Sequence, residues 1–100
     1  MALLGAEEIA AAAENLPGWD ASPDGLRRIF HFASFSEAFR FMTLCAASAE
    51  AANHHPDWSN SYGTVCVVLR THSEGGVTAK DISLAAEFSR AWEQVSREST

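Results

Sequence analysis

The run from Ser34 to Asn53 constrains the fold more than any other part of the chain. Ser34 and Glu37 have the spacing of a capping box, which predicts that a helix begins here. Two apolar stripes follow at helical spacing: Phe35, Phe39, Met42, Ala46 and Ala49 on the expected inward face, and Phe41, Leu44, Ala47 and Ala51 beside it. A helix that is apolar over so much of its circumference has to be buried on more than one side.

The chain ahead of this helix divides into a shorter helix and a hairpin. Residues 4–16 are rich in alanine and glutamate and carry apolar side chains at helical spacing, and a Pro-Gly pair ends them. Residues 19–21 and 26–33 are strand-like and flank a Ser-Pro-Asp-Gly turn sequence. We therefore expect a first helix followed by a two-stranded hairpin.

Behind the central helix the same order of strands and helix recurs. Pro56 ends the helix, because proline disfavours helical geometry in the residue before it. Residues 58–62 and 64–71 are strand-like around Gly63, which predicts a second hairpin. A Gly-Gly pair then turns the chain toward a third helix.

A second capping box, at Thr78 and Asp81, predicts that this last helix begins there. Its inward-facing residues are expected to be Ile82, Ala85, Phe88, Trp92 and Val95. The order α-β-β-α-β-β-α predicts an α+β fold, a two-layer sandwich in which a four-stranded antiparallel sheet carries three helices on one face. With 100 residues the chain has the length of a single domain, 1–100.

Charge and cysteine content argue against several classes of function. The formal net charge is −6 and the basic residues are scattered, whereas nucleic-acid binding needs a basic stripe. Cys45 and Cys66 are too few for a disulfide framework, and we expect both in the core. No basic residue precedes Arg27, and the longest charge-free apolar stretch, 41–49, is too short to span a bilayer. We therefore expect a cytoplasmic protein with no direct nucleic-acid or membrane contact.

Hairpin geometry brings three of the four histidines to one end of the sheet. With the turn at Gly63, His54 and His55 fall opposite Thr71 and His72. Asp81 returns to the same end, because only a short turn separates it from the strand. We expect the three imidazoles to line one pocket with Asp81 at its rim. Such a group suits proton transfer, since an unperturbed histidine has a pKa of about 6.5.

Each of these residues has a plainer interpretation as well. The His-His-Pro sequence could be a solvated helix end, His72 a strand-end residue in water, and Asp81 only a capping residue. His31, between two phenylalanines, is expected to be structural or surface-facing. The three histidines with Asp81 could also supply zinc ligands, but adjacent histidines seldom converge on one ion and the usual zinc spacings are absent. No serine or cysteine lies where a nucleophile would be expected.

From residue 28 to residue 85 the chain resembles the pterin-4a-carbinolamine dehydratases. The most specific blocks are His-His-Pro-Asp-Trp at 54–58, Thr-His at 71–72 and Gly-Val-Thr-x-x-Asp at 76–81. Further matching positions are Ile29, Phe30, His31, Phe32, Phe35, Ala38, Phe39, Phe41, Met42, Ala49, Glu50, Tyr62, Leu84 and Ala85. Val77 departs from the family's more frequent leucine, and the first 16 residues match poorly.

This resemblance implies an enzyme that removes water from 4a-hydroxytetrahydropterin to give quinonoid dihydropterin, without metal or other cofactor. The reaction belongs to the recycling of the pterin used by aromatic amino acid hydroxylases. The implied catalytic positions are His54, His55, His72 and Asp81. We expect His54 and His72 to transfer protons and Asp81 to orient a histidine. His55, Glu50 and Thr71 are expected to contact the pterin.

The alternative function is that of a binding module. Relatives of this family also act as dimerisation cofactors that bind a helical region of a transcription factor. The complete set of site residues favours an enzyme. The second stripe of the central helix would be an exposed apolar patch in a monomer, which predicts a homodimer or homotetramer.

Overall fold

The computed structural model describes residues 2–98, and its elements follow the predicted order. Their bounds are α1 Ala6–Ala13, β1 Asp20–Ser22, β2 Gly25–His31, α2 Phe35–Ala52, β3 Asp57–Ser61, β4 Thr64–Leu69 and α3 Ala79–Glu98. The strands form one antiparallel sheet in the order β1-β2-β4-β3. The predicted α+β fold, three helices with a four-stranded antiparallel sheet, is confirmed. Within residues 2–98, no helix has the length and apolar character needed to cross a membrane.

An aromatic layer joins the sheet to the helices. The buried residues of β2 and β4 alternate along each strand, as one pleated face requires: Leu26, Phe30, Val65, Val67 and Leu69. The ring centroids of Phe30 and Phe41 of α2 are 4.6 Å apart, and those of Phe41 and Phe88 of α3 are 6.4 Å apart. These contacts fix both long helices against the same face of the sheet.

The side of α2 that faces the core differs from the predicted one. Its buried residues are Ala38, Phe41, Cys45 and Ala49. The expectation that Phe35 and Phe39 face inward is wrong, because they are 48% and 56% exposed and contact each other, with centroids 5.7 Å apart. Both stripes are apolar, so helical periodicity alone does not distinguish the buried one.

The second hairpin is shifted by one residue from the predicted pairing. Asp57 pairs with Val68, where a turn centred on Gly63 would place Leu69 opposite it. The turn is formed by Tyr62, which has a φ of 49°, and Gly63. A Cβ at Gly63 would lie 2.4 Å from the carbonyl oxygen of Phe32, so the close approach of the chain requires glycine.

Candidate active site

His54 and Asp81 form a buried pair at one end of the sheet. Asn53 ends α2 in the left-handed conformation, with φ 49° and ψ 46°, and the next residue, His54, is only 9% exposed. Its Nε2 lies 2.6 Å from Oδ1 of Asp81, in the first turn of α3. An ionised carboxylate only accepts hydrogen bonds, so we assign a ring proton to Nε2, which leaves Nδ1 as the unprotonated nitrogen when the imidazole is neutral.

Three donors surround the Asp81 carboxylate. Besides His54, its Oδ2 accepts the backbone N–H of Thr78 at 2.9 Å and the Thr71 hydroxyl at 2.8 Å. Since Thr71 has then used its only proton, the Thr78 hydroxyl donates to Thr71 Oγ1, at 2.8 Å. These bonds replace the water that a fully buried carboxylate has lost. The expectation of Asp81 at the rim of a pocket is therefore wrong, because it lies behind His54.

His55 and His72 pair with carboxylates at the surface. His55 Nε2 contacts Oε2 of Glu50, in the last turn of α2, and His72 Nε2 lies 2.9 Å from Oδ2 of Asp57. The two imidazole side chains are 56% and 65% exposed, so water screens both pairs. Each of the three histidines thus has its own carboxylate, one pair buried and two in water. Asp57 has no place in the sequence-based site, although it begins the strand directly after the His-His-Pro sequence.

The strand pairing explains why these groups share one end of the sheet. β3 begins at Asp57 and antiparallel β4 ends at Leu69, so the segments that carry the three histidines leave the sheet side by side. Thr71 forms an isolated bridge to Gly76, which turns the chain back toward α3. His31 pairs with Thr64 at the opposite end of β4 and lies away from this group.

The geometry gives other chemistries less support than proton transfer. Among residues 2–98, no three His, Cys, Asp or Glu side chains are placed to hold one metal ion. Burial in α2 raises the pKa of the Cys45 thiol far above its ordinary value, which disfavours a nucleophilic thiolate. Cys66 is only half-buried, so the expectation that both cysteines lie in the core is wrong for this one.

Comparison with known proteins agrees with the resemblance in the sequence. The model of the family described as pterin 4 alpha carbinolamine dehydratase matches residues 2–91. The chain belongs to this family. The matched range contains all three His–carboxylate pairs.

Individual relatives cover most of the chain. Proteins provisionally named pterin-4-alpha-carbinolamine dehydratase include one from Prochlorococcus marinus strain MIT 9303, 51% identical over 83% of this chain and 86% of its own. Another, from Mesorhizobium japonicum, is 52% identical over 85% of this chain and 89% of its own. The crystal structure of a "transcriptional coactivator/pterin dehydratase" from Brucella melitensis matches with a TM-score of 0.87 and 40% identity, over 90% of this chain and 98% of that one. Fold and family membership are therefore shared with pterin dehydratases.

Proposed function

We propose that this protein removes water from 4a-hydroxytetrahydropterin and releases quinonoid dihydropterin by histidine acid–base catalysis. Family membership supports the class of reaction. The observation that supports the mechanism is the buried His54–Asp81 pair. It fixes the tautomer of one imidazole at the end of the sheet where two other imidazoles are exposed to water.

The dehydration needs one acid and one base. The C4a hydroxyl takes a proton and leaves as water while the C4a–O bond breaks. N5 releases its proton, and the electron pair of that N–H bond completes the C4a=N5 bond. One proton is delivered and one is removed, so exchange with water returns both groups to their starting states.

His54 is suited to the role of base. Its Nε2–H is held by Asp81, so Nδ1 is the nitrogen left to accept the N5 proton, and the carboxylate stabilises the imidazolium that forms. His72, paired with the exposed Asp57, is then the acid that protonates the leaving hydroxyl. Groups of this kind typically contribute about 10²–10⁴-fold to a rate.

Glu50 and His55 are proposed to hold the pterin. The Glu50 carboxylate can accept N–H groups from the amide edge of the ring, and His55, in contact with it, can orient the ring. Thr71 acts on the same site through Asp81, to which its hydroxyl donates. We further propose that the reaction serves the pterin recycling of an aromatic amino acid hydroxylase in the cytoplasm.

The direct test is whether purified, metal-free protein accelerates dehydration of the carbinolamine, followed by ultraviolet absorbance. We expect a rate proportional to protein concentration. A rate equal to that of buffer alone would contradict the proposed function.

Chelation should leave the activity unchanged. The proposed mechanism moves protons between imidazoles, so treatment with EDTA is expected to alter neither the turnover rate nor the circular dichroism spectrum. Loss of activity that added zinc restores would instead favour the zinc interpretation of the histidines.

The second candidate function is a dimerisation or coactivator module for a transcription factor. The observation in its favour is the Brucella melitensis neighbour, whose description names both a transcriptional coactivator and a pterin dehydratase. Normal carbinolamine turnover would support the enzyme, and turnover no faster than buffer would favour the binding module.

We also propose that the chain forms a homodimer or homotetramer, through Phe35 and Phe39 rather than through the predicted stripe that contains Phe41. Two half-exposed rings in contact form an apolar patch of the kind that marks interfaces. Light scattering should give a multiple of 10.8 kDa, and Phe39→Ser should lower the mass. A 10.8 kDa particle at micromolar concentration would contradict the proposal.

A further inference from the structure

A cleft of about 520 Å³ has no histidine among the lining residues that the structure describes. Its walls are the loop at 15–18, Arg28 of β2, and the part of α3 from Ala86 to Glu93. Ser89, in this wall, lies about 12 Å along α3 from Asp81, since a helix rises 1.5 Å per residue. The cleft and the buried His54–Asp81 pair are thus separate places on the molecule.

Arg28 is held firmly in the wall of this cleft. Its Nη1 donates to the carbonyl oxygen of Pro17 and to Oγ of Ser89, both at 3.1 Å. The guanidinium carbon lies 4.5 Å from the centroid of the Phe30 ring and 4.9 Å from that of Trp92. Little further ordering of this side chain would be needed when a ligand binds.

One edge of the Arg28 guanidinium has no acceptor within residues 2–98. Nη1 makes both hydrogen bonds, which leaves Nε and Nη2 without a partner. This is the edge that matches the two oxygens of a carboxylate, as Arg40 demonstrates in the same chain with bonds of 3.3 and 3.2 Å to Glu98. Partial burial lowers the pKa of Arg28, and the charge of Glu93 opposes this shift. A bound anion would further offset the cost of burying the cation.

A second donor in the same wall also has no partner. The indole Nε1 of Trp92 is buried and, in the part of the chain that the structure describes, nothing accepts from it. The indole of Trp19, by contrast, donates to Ser89 Oγ at 2.9 Å. Leu16 and Ala86 add apolar surface to the lining. A cleft with an unpaired arginine edge and apolar walls suits a ligand that carries acceptor oxygens on an apolar body.

We propose that this cleft binds a small organic carboxylate. Its two oxygens would accept from Nε and Nη2 of Arg28, and its apolar body would contact Leu16 and Ala86. The proposed dehydration does not use any of these groups, so the cleft would be a second ligand site that operates whether or not the chain turns over a pterin.

Benzoate is the probe, and benzamide, of nearly the same shape but without charge, is the matched control ligand. The full chain has three tryptophans, whose indole N–H signals can be followed by ¹⁵N NMR and assigned with Trp19→Phe and Trp58→Phe. We expect benzoate to shift the Trp92 signal saturably. Benzamide should bind at least about tenfold more weakly than benzoate, because it lacks the charge-assisted pair of hydrogen bonds.

Substitution of the arginine separates its geometry from its charge. Arg28→Lys keeps the charge but loses the fork, so affinity for benzoate should fall about tenfold. Arg27→Lys is the control, since Arg27 is exposed on the opposite face of β2. This variant should bind benzoate with the same affinity as the unaltered chain. If Arg28→Lys does not fold, Ala86→Leu replaces it as the test, because it fills the cleft without removing a hydrogen bond of Arg28 and should abolish binding.

Three results would overturn the proposal. The first is the absence of any saturable shift of the Trp92 signal with benzoate. The second is equal affinity for benzoate and benzamide. The third is unchanged affinity in folded Arg28→Lys or in Ala86→Leu.

Discussion

Replacing either His54 or His72 by alanine should lower the dehydration rate by about 10²–10⁴, the usual contribution of one acid or base. His72 lies past the end of β4 and is 65% exposed, so its removal leaves the core intact. His54 is buried in its pair with Asp81, so His54→Ala should also lower the free energy of unfolding, and circular dichroism should show that the variant still folds. The rate is measured on purified protein at a saturating concentration of the carbinolamine.

The double variant and a distant histidine serve as controls. Together the two substitutions should lose less than the product of the single losses, because groups that act as a unit are not additive. His31→Ala should keep near-normal turnover, since His31 lies at the opposite end of the sheet. Near-normal turnover in both folded single variants would exclude the proposed mechanism.

Asp81→Asn should lower both the stability and the rate. The amide has the shape of the carboxylate but replaces one of its oxygens by an N–H₂ group. That group would face either His54, which binds Oδ1, or Thr71 and Thr78, which donate to Oδ2. Leaving a buried hydrogen-bond donor without its acceptor costs about 1–3 kcal/mol, and more where the lost acceptor was charged, which urea denaturation measures directly. The rate should fall by about 10² or more, because the tautomer of His54 is no longer fixed.

Asp57→Asn is the matched control for this prediction. It removes the same charge from a His–carboxylate pair, but Asp57 is 60% exposed, so the free energy of unfolding should change by less than about 1 kcal/mol. Equal stability losses in Asp57→Asn and Asp81→Asn would show that the buried hydrogen bonds do not stabilise the fold as argued.

Local chemistry made most of the fold predictable. Ser34 accepts the backbone N–H of Glu37, and the Asp81 carboxylate accepts that of Thr78, so both long helices begin where the capping patterns indicate. The face of α2 was not predictable in the same way. Phe35 and Phe41 are equally apolar. The ring that is buried is the one that meets Phe30 and Phe32 of the sheet and Phe88 of α3.

The candidate site could be predicted as a group of residues but not as a set of pairs. Antiparallel pairing brings the three histidines to one end even with the register wrong by one residue, because a shift of one does not exchange the ends of a sheet. It does change which side chains meet. The contacts of Glu50 and Asp57 with their histidines depend on strand register and on side-chain rotamers. Helical or strand periodicity in the sequence predicts neither of these.

The opposite exposures of His54 and His55 have a consequence for the entropy of binding. The His54 imidazole is buried in its hydrogen bond to Asp81, whereas the imidazoles of His55 and His72 are exposed to water and pair with exposed carboxylates. Immobilising each such side chain costs about 0.5–1.5 kcal/mol. The affinity of the proposed site for a pterin would therefore be reduced by the ordering of His55 and His72, whereas His54 would need no further ordering.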